Sequence, residues 1–220
     1  MIDEKTIRQW WQTFHREDTL TEIRILSGKK TYSGYFTDID TLVAKVREFD
    51  GCGIYATLNS VKDACYDRTQ HDAFVQSPKS TTNDNDIAKR NWVLLDFDPE
   101  RPSDTNASED EKLCAMDRMK KVGSFLKREG FNYPIIADSA NGYHLYYKVD
   151  LPNDEATTAT IRDFLRALDA LFSDEKVKVD ISVFNASRIV KVIGTSSNKG
   201  TGTKSRPQRV SQFCYIPDDV

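Results

Sequence analysis

Residues 92–98 read Trp-Val-Leu-Leu-Asp-Phe-Asp, an apolar run that ends in two carboxylates, Asp96 and Asp98. The run predicts a buried strand. Because strand side chains alternate between faces, both carboxylates leave the same face with their backbones about 6.5 to 7 Å apart. Such a pair is self-repelling and costly to desolvate, and a divalent cation is its commonest partner. The spacing favours a metal site; alternatively, the pair ends a strand and Asp98-Pro99 begins a turn.

The rest of the chain mixes helical and strand patterns. Helices are predicted over 3–16, near 40–49, over 108–129 and over 153–173, with Asn153 as the cap of the last. Strands are predicted over 22–26, 31–36, 53–58, 134–137 and 143–149, with a long surface loop over 66–87 and a tight turn at Asn141-Gly142. Hairpins and crossovers together predict an α+β or mixed α/β protein with a mixed sheet.

Composition narrows the class of protein. The 220 residues suffice for one large domain or two fused lobes, and 39% hydrophobic with 30% charged residues is typical of a soluble chain. No apolar stretch reaches the roughly 18 to 20 residues of a membrane span and no signal peptide opens the chain, so we expect a cytoplasmic protein. The four cysteines lack Cys-x-x-Cys spacing, which indicates neither a zinc site nor a disulfide framework and predicts free buried thiols; the alternative is a mixed Cys/His metal site.

Two further segments carry candidate site residues. Ser139 to His144 contains small residues that let backbone N–H groups approach an anion, and His144 at a strand start can donate to a phosphate. A lone histidine is more often structural, which is the interpretation of His15 and His71. Asp180 supplies a third carboxylate in a short apolar run, although by itself it is more typical of a surface strand end.

Basic residues gather late in the chain despite a net charge of −3. Between residues 185 and 210 lie Arg188, Lys191, Lys199, Lys204, Arg206 and Arg209, with no acidic residue among them. Arg188 and Lys191 are spaced to share one face, and residues 194–200 form a basic loop. Such loops are usually just solvated, but after a carboxylate cluster they suit a polyphosphate or a nucleic-acid backbone.

The ordered set Asp-x-Asp, Ser…His, hydrophobic-Asp, then Arg…Lys…Gly-Thr resembles the archaeo-eukaryotic primase superfamily. The similarity runs through 53–59, 95–99, 138–147, 179–185 and 188–199, which spans most of residues 50–210. Within the superfamily the chain is similar to the primase-polymerase branch found in phage, plasmids and CRISPR-associated loci. The resemblance implies an α+β catalytic core with an RRM-like unit, in which an N-terminal lobe of about 1–90 precedes a metal-binding lobe of about 91–215.

The resemblance also implies template-directed nucleotidyl transfer on single-stranded DNA, by primer synthesis and primer extension, with two Mg²⁺ or Mn²⁺ ions roughly 3.5 to 4 Å apart. Its metal-binding, catalytic carboxylates match Asp96, Asp98 and Asp180. Nucleotide-binding positions are Ser139, Asn141, His144, Arg188, Lys191 and Lys199, and positions for nucleic acid or an initiating nucleotide are Asn59, Lys204, Arg206 and Arg209. Expected partners are a template, a primer and nucleoside triphosphates. No zinc is expected, and a longer natural chain would add an accessory domain or a helicase.

Two other functions stay open at this point. A non-catalytic single-strand-binding or replication-initiator module would keep the carboxylates as relics. A metal-dependent nuclease would share the carboxylates, but it has less use for a triphosphate-directed set of Ser139, His144, Arg188 and Lys191.

Overall fold

The computed structural model describes residues 1–15, 19–197 and 199–218. Its helices are α1 (Glu4–Phe14), α2 (Ile39–Val46), α3 (Glu109–Arg128) and α4 (Glu155–Phe172). Its strands are β1 (Thr21–Ser27), β2 (Lys30–Phe36), β3 (Gly53–Thr57), β4 (Ser60–Val61), β5 (Val75–Gln76), β6 (Ile87–Pro99), β7 (Ile135–Asp138), β8 (Tyr143–Leu151), β9 (Val177–Val179), β10 (Ile189–Lys191) and β11 (Gln212–Tyr215). The α+β class is confirmed.

The strands form two sheets. The first has the order β10-β3-β1-β2-β5, and the second has the order β11-β7-β8-β6-β4, with β9 also paired to β6. Every ladder between the named strands is antiparallel, so the mixed sheet expected from the sequence is replaced by two antiparallel ones. The division into lobes near residue 90 stays a prediction. The first sheet also takes β10 from late in the chain.

Residues 87–179 form the RRM-like unit that the resemblance implies. The chain order β6-α3-β7-β8-α4-β9 folds into the spatial order β7-β8-β6-β9, which is the antiparallel arrangement of a ferredoxin-like βαββαβ motif. Strand β6 is a central strand of this unit. It pairs along one edge with β8, and along the other with β4 at its start and β9 at its end. The acidic stretch therefore lies at the centre of a sheet.

Helix α1 packs against the second sheet. Its Phe14 ring packs against Trp92 of β6 at 5.0 Å and Tyr146 of β8 at 4.8 Å between ring centroids. Trp10, 1% exposed, fills the same core beside His15. His15 is thereby a buried structural histidine, as the sequence predicts. Burial of such large rings is a main source of folding free energy.

Helix starts follow the capping rules with one correction. Ser108 and Glu111 form a reciprocal capping box at α3. The cap of α4 is Asp154, whereas the amide of Asn153 donates to carbonyl oxygens of Asp84 and Ile87. The prediction of Asn153 as the cap was wrong, because its side chain instead binds carbonyl oxygens at and just before the start of β6.

Two smaller expectations are refined. The stretch 66–87 is irregular but includes β5 and a 3₁₀ turn at Asp84–Asp86. The four cysteines are free thiols, yet only Cys65 is buried; Cys52 and Cys114 are half-buried and Cys214, on β11, is exposed. Within the described ranges, no helix has both the length and the apolar character to cross a bilayer.

Candidate functional site

A cavity of about 190 Å³ opens between the two sheets at the carboxyl end of β6. Its walls come from strands and loops distant in sequence. Every residue predicted for metal or nucleotide binding lines it: Asp96, Asp98, Ser139, Asn141, His144, Asp180, Arg188, Lys191 and Lys199. The fold thus gathers segments that are up to about a hundred residues apart.

Asp96 and His144 form the floor of this cavity as a cross-strand pair of β6 and β8. The distance from His144 Nε2 to Asp96 Oδ1 is 3.4 Å, which is longer than a well-formed hydrogen bond. The other ring nitrogen, Nδ1, is 2.7 Å from the hydroxyl of Tyr146. Burial by itself lowers the pKa of His144, but the charges of Asp96 and the neighbouring carboxylates outweigh it and raise that pKa.

Asp98 stands at the rim and has a raised pKa. Loss of hydration is the largest cause and the charge of Asp96 the second, while Arg101 opposes both. The Nη2 of Arg101 lies 3.4 Å from Asp98 Oδ2. Solvent partly screens Asp98, because 52% of its side chain is exposed. The repulsion between Asp96 and Asp98 therefore destabilises the fold only slightly.

Asp180 is tied directly to β6. Its backbone N–H donates to the carbonyl oxygen of Asp96 at 3.0 Å, immediately after the β6–β9 ladder ends. One carboxylate oxygen accepts from the N–H of Ser182 at 2.7 Å. The third carboxylate is therefore held at the same cavity by backbone hydrogen bonds.

The three carboxylates suit a hard divalent cation. Asp96 Oδ1 is buried and accepts no hydrogen bond, so it is a free acidic ligand atom. Across the described ranges, no three His, Cys, Asp or Glu side chains are already grouped tightly enough to hold a metal ion unaided. Mg²⁺ is commonly bound by one or two carboxylates together with waters and substrate phosphates, and this donor set fits that pattern.

The β7–β8 turn closes one side of the cavity. Ser139 N–H donates to the carbonyl oxygen of Gly142 at 3.1 Å, and Ala140 takes the positive φ of 80°. The tight turn is therefore present, with the left-handed residue at Ala140. A Cβ on Gly142 would lie 2.6 Å from Asp98 Oδ1 and even closer to the carbonyl oxygen of Phe97. This close approach requires glycine.

Asn141 is used as a clamp. Its Oδ1 accepts from the N–H of Ala107 at 2.9 Å and its Nδ2 donates to Ser197 Oγ at 2.6 Å. The side chain joins the turn to the start of α3 and to the 195–197 segment. Each polar atom is engaged by one partner, so Asn141 positions the cavity wall, and its role as a nucleotide ligand stays a prediction.

The opposite wall is basic. Lys191 is 6% exposed, its ammonium donates to the carbonyl oxygen of Ser196 at 2.5 Å, and it lies 5.4 Å from the ring centre of Tyr55. Burial, aided by the charge of Lys199, lowers the pKa of Lys191 to about 7. Arg188 donates to the carbonyl oxygen of Ser182, which directs it towards the segment that follows Asp180.

Asn59 has a structural role. Its Nδ2 donates to the carbonyl oxygen of Ala186 at 3.1 Å, and its Oδ1 accepts from the N–H groups of Asn91 and Trp92 at 2.8 and 3.0 Å. These hydrogen bonds connect the segment before β10, in the first sheet, to β6, in the second. Both lone pairs of Oδ1 are used, whereas Nδ2 keeps one N–H, and the role of Asn59 as a contact to nucleic acid stays a prediction.

Arg206 and Arg209 also lie outside the cavity. Arg206 forms a two-pronged ion pair with Glu111, at 2.7 and 2.6 Å, and Arg209 pairs with Glu109 at 2.5 Å. Residues 185–210 contain no acidic residue in sequence, but in the folded structure Glu109 and Glu111 of α3 lie beside these two arginines. Both arginines therefore fasten their loop to α3, and their role in binding nucleic acid or an initiating nucleotide stays a prediction. Lys204 is exposed, and its role stays a prediction.

Sequence reasoning missed three polar residues that line the cavity, Arg101, Tyr55 and Ser197. Arg101 follows Asp98 by three residues, a spacing that offered a signal. Tyr55 enters because β3 pairs with β10, which places it opposite Lys191. No local pattern marks Ser197.

Cavity size alone would not identify this site. A cleft of about 500 Å³ lies past the end of α1, lined by His15, Trp92, Lys148 and other residues, and one of about 520 Å³ lies beside Tyr147 and Phe164. Neither contains the carboxylate pair. The smaller cavity is distinguished by opposed acidic and basic walls.

Solved structures share this fold. The archaeo-eukaryotic primase domain of the cyanophage S-2L primase-polymerase superposes with a TM-score of 0.55 at 13% identity, covering 97% of this chain and 90% of that one. The primase RepB' gives a TM-score of 0.51 at 11% identity, covering 96% of this chain, which spans 56% of that one. Its catalytic domain in complex with initiator DNA gives 0.51 at 10% identity, covering 96% and 84%.

By sequence, neither a protein-family model nor a curated protein matches the chain. The structural likeness establishes an archaeo-eukaryotic primase-type fold, in agreement with the resemblance read from the motifs.

Proposed function

We propose that the protein is a template-directed nucleotidyltransferase that makes and extends primers on single-stranded DNA. The observation that carries this proposal is the cavity itself, in which three carboxylates face a wall of Arg188, Lys191 and Lys199. A triphosphate needs both sides: metal ions held by carboxylates and direct neutralisation by basic side chains. A fold shared with primase domains supports the same activity.

Asp96, Asp98 and Asp180 would hold two divalent ions, Mg²⁺ or Mn²⁺. When bound, the ions would supply activation of a 3′-hydroxyl and stabilisation of the departing pyrophosphate. Asp96 Oδ1 is buried and accepts no hydrogen bond, so it would be available as a ligand atom for an ion.

The remaining residues bind and orient the nucleotide. His144 would donate its Nε2–H to a phosphate oxygen, and Ser139 and the adjoining turn would contact the same group. Arg188, with five fixed donors, suits two-pronged phosphate binding, and Lys191 supplies a point charge beside it. The turn's small residues leave room for the phosphate chain to approach.

A primed single-stranded template with Mn²⁺ and either ribo- or deoxynucleoside triphosphates tests the activity. Extension of the primer supports the proposal. Mere retention of the strand supports a non-catalytic binding module instead, and shortening of the strand supports a nuclease.

Asp96→Asn is the informative variant, since it removes a charge while keeping the shape of the side chain. Asp150→Asn is the matched control, because Asp150 is an exposed carboxylate on β8 paired to Lys89 away from the cavity. We expect at least about 100-fold slower extension in the first, the scale of a lost transition-state charge stabiliser, and wild-type rates in the second. Equal rates in both variants would contradict the site.

A further inference from the structure

Tyr146 lies behind His144 on the side away from the cavity. The two residues are two positions apart on β8 and so share one face of the sheet. The Tyr146 ring is 1% exposed, packs edge-on against Phe14 of α1, and brings its hydroxyl 2.7 Å from His144 Nδ1. The resemblance assigns nothing to this tyrosine.

The hydroxyl of Tyr146 keeps its proton. Burial, and then the charge of Asp96, raise its pKa well above the ordinary value. A buried O–H without an acceptor is strongly unfavourable, and His144 Nδ1 stands at hydrogen-bond distance. Tyr146 therefore donates to Nδ1 of the neutral ring.

Asp96 acts on the other side of the same ring. Its Oδ1 lies 3.4 Å from His144 Nε2. A lone pair on Nε2 would face this carboxylate and be repelled, whereas an N–H is attracted. Both neighbours favour the form of His144 that carries hydrogen on Nε2, and a protonated ring carries it there as well.

We propose that Tyr146 is a positioning residue that fixes the tautomer and orientation of His144, so that Nε2–H is presented to the triphosphate. This inference rests on the proposed function. Tyr146 does not touch the nucleotide. In other histidine sites, a hydrogen bond to one ring nitrogen likewise fixes the tautomer and determines which nitrogen contacts the ligand.

Tyr146→Phe removes one oxygen atom and keeps the ring that packs on Phe14. The matched control is Tyr147→Phe: Tyr147 is the next residue, points to the opposite face, and has a buried hydroxyl with no hydrogen-bond partner. The same chemical change is thus made on both sides of one strand. The chain has three histidines, so His144→Ala assigns the His144 signals by their loss.

The first measurement is the ¹⁵N NMR spectrum of the imidazoles, without metal or nucleotide. We expect His144 in the wild-type protein and in Tyr147→Phe to show a protonated Nε2 and a hydrogen-bonded Nδ1. In Tyr146→Phe the Nδ1 resonance should shift and the Nδ1–H tautomer should appear. A merely structural role for Tyr146 would leave the tautomer unchanged.

The second measurement is nucleoside triphosphate affinity. Tyr146→Phe should weaken binding about 3- to 10-fold, the scale of one hydrogen bond, but should have no further effect in the His144→Ala background. Tyr147→Phe should bind as the wild type does.

An unchanged His144 spectrum in Tyr146→Phe would overturn the inference, as would an equal loss of affinity with and without His144. A wild-type chain that binds no nucleotide but whose His144 spectrum changes in Tyr146→Phe would refute the proposed function and support the tautomer assignment.

Discussion

The backbone N–H of Asp180 donates to the carbonyl oxygen of Asp96 across 3.0 Å, so the third carboxylate is fixed to the first by main-chain atoms. Replacing the Asp180 side chain leaves this bond intact. We therefore expect Asp180→Asn to lower the primer-extension rate about 100-fold while the melting temperature stays within about 3 °C of wild type. Extension assays and thermal melts of one preparation test this; a large loss of stability would show that Asp180 is structural.

Asp98 gives a pH-dependent stability. Its pKa is raised in the folded protein, so the folded state holds the proton more tightly than the unfolded one, and stability falls as pH rises from the ordinary pKa of 3.8 through the folded pKa. Asp98→Asn should therefore equal or slightly exceed the wild type in stability at pH 7. The difference should vanish below about pH 4. Denaturant melts at pH 7 and 4 measure it, and a variant that is less stable at pH 7 would contradict the repulsion between Asp98 and Asp96.

Lys191 should make nucleotide affinity depend on pH. With its pKa at about 7 in the free protein, it is charged at pH 6 and mostly neutral at pH 8.5. Binding a triphosphate above pH 7 must first protonate it, so affinity should fall by up to tenfold per pH unit there. At pH 6, Lys191→Met should bind the triphosphate more weakly than the wild type does. The pH dependence of affinity that remains in this variant reports the titration of the nucleotide and His144. Equal slopes in both proteins would exclude Lys191 from the phosphates.

Two glycine-to-alanine changes should act in opposite directions. At Gly142 the new methyl group would collide with the carbonyl oxygen of Phe97 and the carboxylate of Asp98, so Gly142→Ala should destabilise the fold by about 1 to 3 kcal/mol and impair extension. At Gly123, within α3, the nearest atom is Leu145 Cδ1 at 3.6 Å. Gly123→Ala should stabilise by up to about 1 kcal/mol. Chemical denaturation compares the two; a neutral Gly142→Ala would contradict the tight approach of the turn to β6.

Substitutions of Arg206 and Lys204 should have different effects on stability, because Arg206 is ion-paired to α3 and Lys204 is exposed. Arg206→Gln breaks the two-pronged pair with Glu111 and its hydrogen bond to the carbonyl oxygen of Asn106, so it should lower the denaturant midpoint of unfolding below that of the wild type. Lys204→Gln should leave stability unchanged. Denaturant unfolding and DNA-binding titrations of both variants decide this. Wild-type stability of Arg206→Gln with weakened DNA binding would restore Arg206 to the nucleic-acid surface.

Local sequence determined the strand that carries the acids, the main helices and the residue types of the site. Apolar periodicity and turn chemistry act over a few residues, so β6, α3 and the β7–β8 turn could be predicted directly. The motif order was informative for a different reason: it resembles the ordered motifs of the archaeo-eukaryotic primase superfamily, and that resemblance indicated the correct fold before any contact was known.

Tertiary structure alone decided which of these residues are free to act. Asn59, Asn141, Arg206 and Arg209 are candidate ligands in the sequence, and only the folded structure shows that each is also held by partners from distant segments, because buried polar groups and opposite charges pair where the fold brings them together. Tyr146 shows the converse. Its spacing from His144 is visible in the chain, but only the folded structure shows that its ring packs against Phe14 of α1 and that its hydroxyl lies at hydrogen-bond distance from His144 Nδ1.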